Sequence, residues 1–552
     1  MVASRVMIQS FLFFVFIAFD VSAKDCSIQG QFHNQGPVVI KNVDIFDGKE
    51  NLIRKNSMVL IDYVRTPDSY GYDGALIKGS DVGYFIKEIS ANGQLISKYD
   101  QAGARIIDGK GLTLMPGLID SHTHLSWADI NPLHEFSKKV AAGIATFEDW
   151  PPYGAEASID EARNRLMDGF TTIREVGGVA HMIKKCVDPF HSSSDNVAYE
   201  GLPGPRIVYA GSVISPTSGH ADIETDLDEK FHYIPDLGTM TASQREDLIL
   251  QADRFGLYKA DGVPGISKAV RTQFTKSAQF IKIATGGGIV SPNDPVFAKI
   301  MTDDEVSVAT QITDGMHTYT TTHSYTGDTI MRDIRHGVQM IEHANLINKQ
   351  AMKLVKTKQS RREKVTNRDT SVWLNISPFF QNQYDGSSQL SGYNLDKLRV
   401  VEKSTLNAFA LAKKYKVRNM AWGSDVMFLP GGATIAAPMI AQMPLDLAPL
   451  KRFKIDGDSH YGNYAYSNYD ILKMVTYNNG LVVTKSGPLT PYLGVDGSYL
   501  KEGLIGHIAP NAVADLILVK GNPLNDLSFL SNPSKNIQLI MKDGIIYKNT
   551  LH

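Results

Sequence analysis

The chain has 552 residues, 43% hydrophobic and 21% charged, with a formal net charge of −2 and a pI near 6.7. That is enough apolar material for one large globular domain plus a smaller one, and it excludes the basic footprint of a nucleic-acid binder. There is no repeat period or low-complexity tract, so small molecules or peptides are the expected partners.

The first residues are unlike the rest. Arg5 precedes the apolar "MIQSFLFFVFIAF", and "VSA" follows with small residues at Val21 and Ala23. This is the pattern of a secretory signal over residues 1–23, cut after Ala23, and the expected destination is the periplasm or the medium. The alternative is a membrane anchor, but the apolar core is shorter than the roughly 20 residues needed to span a bilayer, so no stable anchor is expected after cleavage. The chain has only two cysteines, Cys26 and Cys186. Export permits a bridge between them, and two free thiols are the alternative.

Residues 24–113 contain "GPVVIKNVDIFDG", "NSMVLIDYV" and "ARIIDGKG", and residues 496–552 contain "ADLILVKG" and "IQLIMKDGIIYK". These alternate with period two between Gly and Asp-Gly turns, as the strands of a small β-sandwich would.

Between them, over residues 114–495, strand and helix patterns alternate. "LMPGLIDSHTH" is a strand, "SIDEARNRLMDGF" a helix, and "TTIREV" and "RIVYAGSVI" are strands. "AQFIKIATGGG" is a strand ending in glycines, "DDEVSVATQITDG" a helix, "MHTYTTTHS" a strand, "DTIMRDIRHG" a helix and "VQMIEHANL" a strand. "KQAMKLVKT", "TSVWLNISPFF", "STLNAFALAKKYK" and "VRNMAWGSD" complete the series. Eight strands separated by helices predict an α/β protein built on a (β/α)8, TIM-like barrel, whose working residues sit at the C-terminal ends of the strands.

Those ends are selective. His122 and His124 close the first strand, where residues two apart point to the same face. Lys282 lies on the fourth strand, His323 and His343 end the fifth and sixth, and Asp425 ends the eighth. Taken singly, each histidine is more often a hydrogen-bonded structural residue, Lys282 an ordinary charge and Asp425 a helix cap. Together they put four imidazoles, an amine and a carboxylate on one rim.

The motifs "PGLIDSHTHL", "FIKIATGGG", "TTHSYTGDTIMRDIRHGVQMIEH", "WGSD" and "IGHIAPNAVADLILVKGNPL" resemble the amidohydrolase superfamily, in its binuclear, carboxylated-lysine branch. The resemblance covers nearly the whole mature chain. It is narrowest with the imidazolonepropionase-related group that includes prolidase-like Xaa-Pro and Xaa-Arg dipeptidases and ochratoxin-hydrolysing amidases. Two departures bear on substrate choice: "TTIRE" puts Glu175 where "TTVRD" is typical, and Tyr325 stands where many members carry a second histidine.

The resemblance implies that His122, His124 and Asp425 hold one divalent metal ion, expected to be zinc, and that His323 and His343 hold the other. A CO2-derived carbamate on Lys282 and a hydroxide would span both, with Asp425 as general base and then acid. It also implies that both chain ends join in one β-domain. The chemistry agrees, because zinc takes imidazole and carboxylate ligands directly, whereas a lysine must first lose its proton in an apolar setting and then add CO2.

His220 in "SPTSGHAD" follows the third strand, resembles the family's "GGH" stretch and, with Tyr325, is a candidate substrate contact. Long insertions at 180–205 and 427–468 follow strand ends and are expected to shape the pocket; Met427, Phe428, Met439 and Met443 would favour an apolar substrate group. The expected enzyme is a metal-dependent amidohydrolase acting on a dipeptide or an N-acyl amino acid, and a homo-oligomer is compatible with the sequence. The alternatives are opening of a cyclic amide or deamination on the same scaffold, and a non-catalytic binding protein.

Overall fold

Strands buried on both faces read as continuous apolar and β-branched runs, and Leu118–Thr123, Phe170–Glu175 and Arg206–Tyr209 are buried along their whole length. In the computed structural model these three form a parallel sheet with Phe170–Glu175 in the middle. The described residues run from 28 to 551, except 32–35, 66–68, 71–75, 78–80, 92–102, 128–129, 146–149, 179, 189–198, 201, 221, 223–240, 242, 245–255, 292, 363–367, 379–391, 428–431, 491–500 and 502. The expected signal segment 1–23, Cys26 and Phe428 lie outside them.

A second parallel sheet has seven strands in the order Leu257–Lys259, Val213–Ser215, Ile281–Ala284, Thr320–Thr326, Met340–Leu346, Trp373–Ile376, Met420–Ala421. The expected unbroken set of eight strands is thus two sheets, for two local reasons. The third strand divides at Gly211, whose φ of +77° leaves the extended region and where a Cβ would lie 2.3 Å from Gln273 Oε1. The short strand Leu257–Lys259, which the sequence pattern does not mark, pairs with Val213–Ser215. Backbone hydrogen bonds connect the sheets at both margins: Ser121 N–H to Trp422 O and Asp425 N–H to His122 O on one side, Gln279 N–H to Tyr209 O on the other.

Helices Gly262–Thr275, Asp303–Gly315, Gly327–Arg335, Lys349–Lys358 and Gly392–Lys414 alternate with the strands of the larger sheet. Asp303–Gly315 starts where the sequence requires, because Thr302 and Glu305 form a reciprocal capping box. Apolar residues of these helices, such as Ile266, Val306, Ile330 and Phe409, join Phe170, Ile281 and Leu374 in the main core. No helix of the described residues is long and apolar enough to cross a membrane.

Both ends of the chain contribute to one eight-stranded sheet. It runs Ile545–Asn549, Ile537–Lys542, Leu516–Val519, Thr113–Pro116, Val38–Phe46, Ile53–Arg65, Asp81–Ala91, with Arg105–Asp108 also paired to Val38–Phe46. Val43, Ile45, Leu516, Leu518 and Leu539 share its buried cluster. Thr113–Pro116 therefore passes from this sheet almost directly into the His122 strand.

In the first insertion, helix Ala180–Val187 carries Cys186, which is buried and disulfide-bonded; Cys26 is the chain's only other cysteine. In the second, helix Ala436–Asp446 sends Met439 and Met443 into the main core, so these two do not form a pocket wall as the sequence suggests. Met427 does lie near the site: with Leu257 and Ile300 it packs against the buried cluster of Trp127, Val213 and Ala284.

Candidate metal centre

Register brings the candidate residues together. Ala284 pairs with His323, Ser324 with His343 and His343 with Ile376, so these residues lie level across neighbouring strands. Asp425 reaches the first strand by its own backbone, donating its N–H to His122 O at 3.0 Å. This approach needs Gly423, where a Cβ would lie 2.3 Å from His122 Cβ.

Asp425 is the centre of the cluster. Its Oδ1 lies 3.2 Å from His122 Nε2 and 3.6 Å from His124 Nε2, and its Oδ2 lies 3.5 Å from His343 Nδ1. The ring of His323 is 4.1 Å from that of His343. His122, His343 and Asp425 offer ligand atoms all within 4.8 Å of one another. Asp425, His343 and Ala344 have φ of 51°, 77° and 55°, a left-handed backbone uncommon for such residues and kept here inside the strand Met340–Leu346 and in the turn after Met420–Ala421.

The electrostatics favour neutral imidazoles at His124, His323 and His343 beside an ionised carboxylate. Burial holds His323 and His343 well below the usual histidine range and lowers His124 as well. Burial acts on His122 too, but Asp425 and Glu342 outweigh it and raise that ring. Asp425 itself is held well below the usual carboxylate range, burial being overcome by His122, His124 and His343. Lys282, 2% exposed, is lowered to about 8 by burial despite the opposing charges of Glu342 and Asp425.

These residues fit a divalent cation. His122 Nε2, His323 Nε2 and Asp425 Oδ1 are buried without a hydrogen bond among the described residues, a costly state for polar atoms unless another ligand takes them. The opposite ring nitrogens are held from behind. His122 Nδ1 meets Glu342 Oε2 at 2.9 Å, His124 Nδ1 meets Gly177 O at 2.8 Å and His343 Nδ1 meets Ser377 Oγ at 2.9 Å, which leaves each Nε2 as the ligating atom.

Glu342 and Arg174, which the sequence pattern does not single out, form the buried network behind His122. Glu342 is fully buried, touches His122, accepts from Thr321 Oγ1 at 2.6 Å and Asn375 Nδ2 at 2.9 Å, and pairs with Arg174 Nη1 at 2.7 Å. Arg174 also donates to Ser121 O and Tyr319 OH and lies 4.2 Å from the centre of the Phe280 ring. Their signal was present in "TTIRE" and "IEH", as charges inside otherwise buried strands.

The two candidate substrate contacts lie beside the cluster. His220 stacks on His323 with ring centroids 3.9 Å apart, and Tyr325 lies 4.8 Å from His343 and 5.1 Å from His323. Trp127 stacks on His124 at 4.9 Å and carries the apolar Met427 and Leu257 wall up to the site. Glu175 faces the same end of the first strand, where its Oε2 accepts from Leu125 N–H at 2.8 Å.

The chain belongs to the amidohydrolase family, whose pattern it matches over residues 113–482. It is a hydrolase acting on carbon–nitrogen bonds. Ochratoxinase of Aspergillus niger is 25% identical over 445 residues, 79% of this chain and 75% of that protein. The crystal structure of A. niger ochratoxinase overlays with a TM-score of 0.66 at 19% identity, covering 93% of this chain and 96% of the other. A prolidase complexed with N-methylphosphonate-L-proline overlays with a TM-score of 0.65 at 22% identity, covering 93% of this chain and all of the other. At these identities the overlays establish the shared fold.

Proposed function

We propose that this protein is an exported amidohydrolase that binds two divalent metal ions, zinc being the expected metal, and hydrolyses the amide bond of a dipeptide or an N-acyl amino acid. The observation that carries this reading is the convergence of His122, His124, His323, His343 and Asp425 in one buried cluster, with the buried Lys282 on the strand next to that of His323. A neutral Lys282 amine can add CO2 and lose a proton, giving an anionic carbamate with two oxygens in place of a cation that would repel metals. His122, His124 and Asp425 would hold one ion, His323 and His343 the other, and carboxylated Lys282 both. The parallel strands would close as a (β/α)8 barrel around them.

Bound metal would polarise the substrate carbonyl and lower the pKa of water toward roughly 7. The chain's own residues supply the rest. Asp425, ionised at neutral pH, accepts the proton of the attacking water and delivers it to the leaving nitrogen as the C–N bond breaks, giving a carboxylate and an amine. Glu342 keeps the His122 ring in place during both steps. The Trp127, Leu257 and Met427 wall suits an apolar acyl or side-chain group, while His220 and Tyr325 meet the polar part of the substrate. The ochratoxinase and prolidase relatives also support cleavage of an amide to an amino acid.

The disulfide at Cys186 supports export, because such bonds persist in oxidising compartments. Protein from its native host is expected to begin at Lys24; an intact Met1 with firm membrane association would contradict this.

The test of function is metal analysis followed by a library of dipeptides and N-acyl amino acids with released amines measured. Turnover confined to cyclic imides or aminated rings would defeat the reading in favour of ring opening or deamination. An inactive, metal-free protein would leave only a binding role.

A further inference from the structure

Behind His220 is a buried carboxylate with no part in metal binding. Asp294 is 1% exposed and sits on the loop that follows the Lys282 strand. Its Oδ2 accepts the Gly288 N–H at 2.6 Å and lies 3.3 Å from His220 Nδ1, while Ser291 Oγ lies 2.7 Å from the same nitrogen. The loop is fastened from outside by helix Gly392–Lys414: Asn394 Nδ2 donates to Val290 O at 3.0 Å, and the Lys397 ammonium donates to Ser291 O. Gly288 admits the arrangement because a Cβ there would fall 1.8 Å from His220 Nδ1.

A carboxyl oxygen of Asp294 3.3 Å from Nδ1 and the Ser291 hydroxyl oxygen 2.7 Å from it can both accept, and together they favour a proton on that nitrogen. The other nitrogen of His220 makes no hydrogen bond among the described residues, the ring keeps 13% of its side-chain exposure, and its face is stacked on His323. We propose that Asp294, assisted by Ser291, is a positioning residue that fixes His220 as its Nδ1–H tautomer and presents the lone pair of Nε2 to an N–H group of the substrate. This rests on the amidohydrolase reading and extends it, since it asks of the substrate an N–H donor beside the His323 side of the centre. Asp294 acts at one remove, because it touches His220 and not the reacting atoms.

The first measurement needs no turnover: 15N NMR of the imidazoles in the metal-loaded protein, with His220 assigned by its loss in His220→Asn. Wild type should show a protonated Nδ1 and an unprotonated Nε2 for His220, and Asp294→Asn should lose this state. An Nε2–H tautomer in wild type, or an unchanged signal in Asp294→Asn, overturns the proposal. Kinetics supply the second test. Asp294→Asn should lower kcat/KM by roughly 10- to 100-fold with two metals retained, and the same change in a His220→Asn background should cost less than about twofold. Equal losses in both backgrounds would make Asp294 merely structural and refute the proposal. If Asp294→Asn does not fold, Ser291→Ala takes its place, with a smaller loss in kcat/KM that again disappears in the His220→Asn background. A wild-type protein with the expected tautomer but no amide turnover would count against the proposed function and leave the His220–Asp294 assignment standing.

Discussion

Glu342 shows what a single residue contributes, since it ties His122 to Arg174, Thr321 and Asn375 in the buried space between the parallel strands. Burial pushes its carboxyl up, but Arg174 and His122 hold it well below the usual range. Glu342→Gln removes the anion behind His122 and should weaken metal affinity by about 10- to 100-fold, measured by competition with a chelator; unchanged affinity would contradict the role. Lys282→Ala should lose metal from the centre and almost all turnover, and Lys282→Arg should fail as well because guanidinium cannot form a carbamate. Short carboxylic acids should restore part of the Lys282→Ala activity. Glu175 gives a pH prediction. Burial raises its pKa from 4.5 to about 8, so the folded state holds a proton that the unfolded chain releases. Its stabilising share is therefore complete below pH 4.5 and is lost as pH rises toward and through 8. Glu175→Gln should raise Tm relative to wild type more at pH 8 than at pH 5, and an equal change at both would contradict the assignment. Sequence spacing discloses His122 and His124 because alternate strand residues share a face. It hides Glu342, because adjacent strand residues should face opposite ways, and the left-handed backbone at His343 lets both neighbours serve one site.

The elements deliver these residues through a shared register, and a junction between the first strand and the turn after Met420–Ala421 brings in Asp425. Asp120 Oδ1 accepts from both His122 N–H at 3.1 Å and Ser424 N–H at 2.9 Å, and Arg165 Nη1 holds the other Asp120 oxygen at 2.9 Å. One carboxylate thus joins the two segments that carry His122 and Asp425. Gly423→Ala would drive a methyl into the His122 backbone and cannot be relieved by a side-chain rotation. It should cost about 1–3 kcal/mol of stability and reduce metal content, checked by denaturant unfolding and metal analysis. A well-folded variant with a full metal complement would show that the junction tolerates separation. The long strands and their helices are legible in the sequence because burial on both faces enforces apolar runs. Leu257–Lys259 is not, since three residues carry no period and its existence depends on the distant Val213–Ser215. Met439 and Met443 misdirect for a similar reason: an apolar insertion reads alike whether it lines a pocket or, as here, packs into the core.

At the scale of the molecule, the sheet made from both chain ends is bolted to the parallel strands by buried charge. Arg206, 1% exposed, donates to Asp515 and Asp543 from a strand next to Phe170–Glu175. Arg206→Met would leave Asp515 buried without its cation and should cost about 3–5 kcal/mol, read as a lower unfolding midpoint, while the folded fraction keeps its metals. A change below 1 kcal/mol would mean that the two parts hold together without this pair. The central claim, however, concerns the centre itself, and the most direct measurement is a metal titration of chelator-stripped protein in bicarbonate buffer, following amine release from a dipeptide or N-acyl amino acid cleaved by the untreated enzyme. Activity should be absent at the start, return with added divalent metal, and reach its plateau at two ions per chain. Full turnover by the stripped protein, or a plateau at one ion per chain, would contradict the binuclear amidohydrolase account.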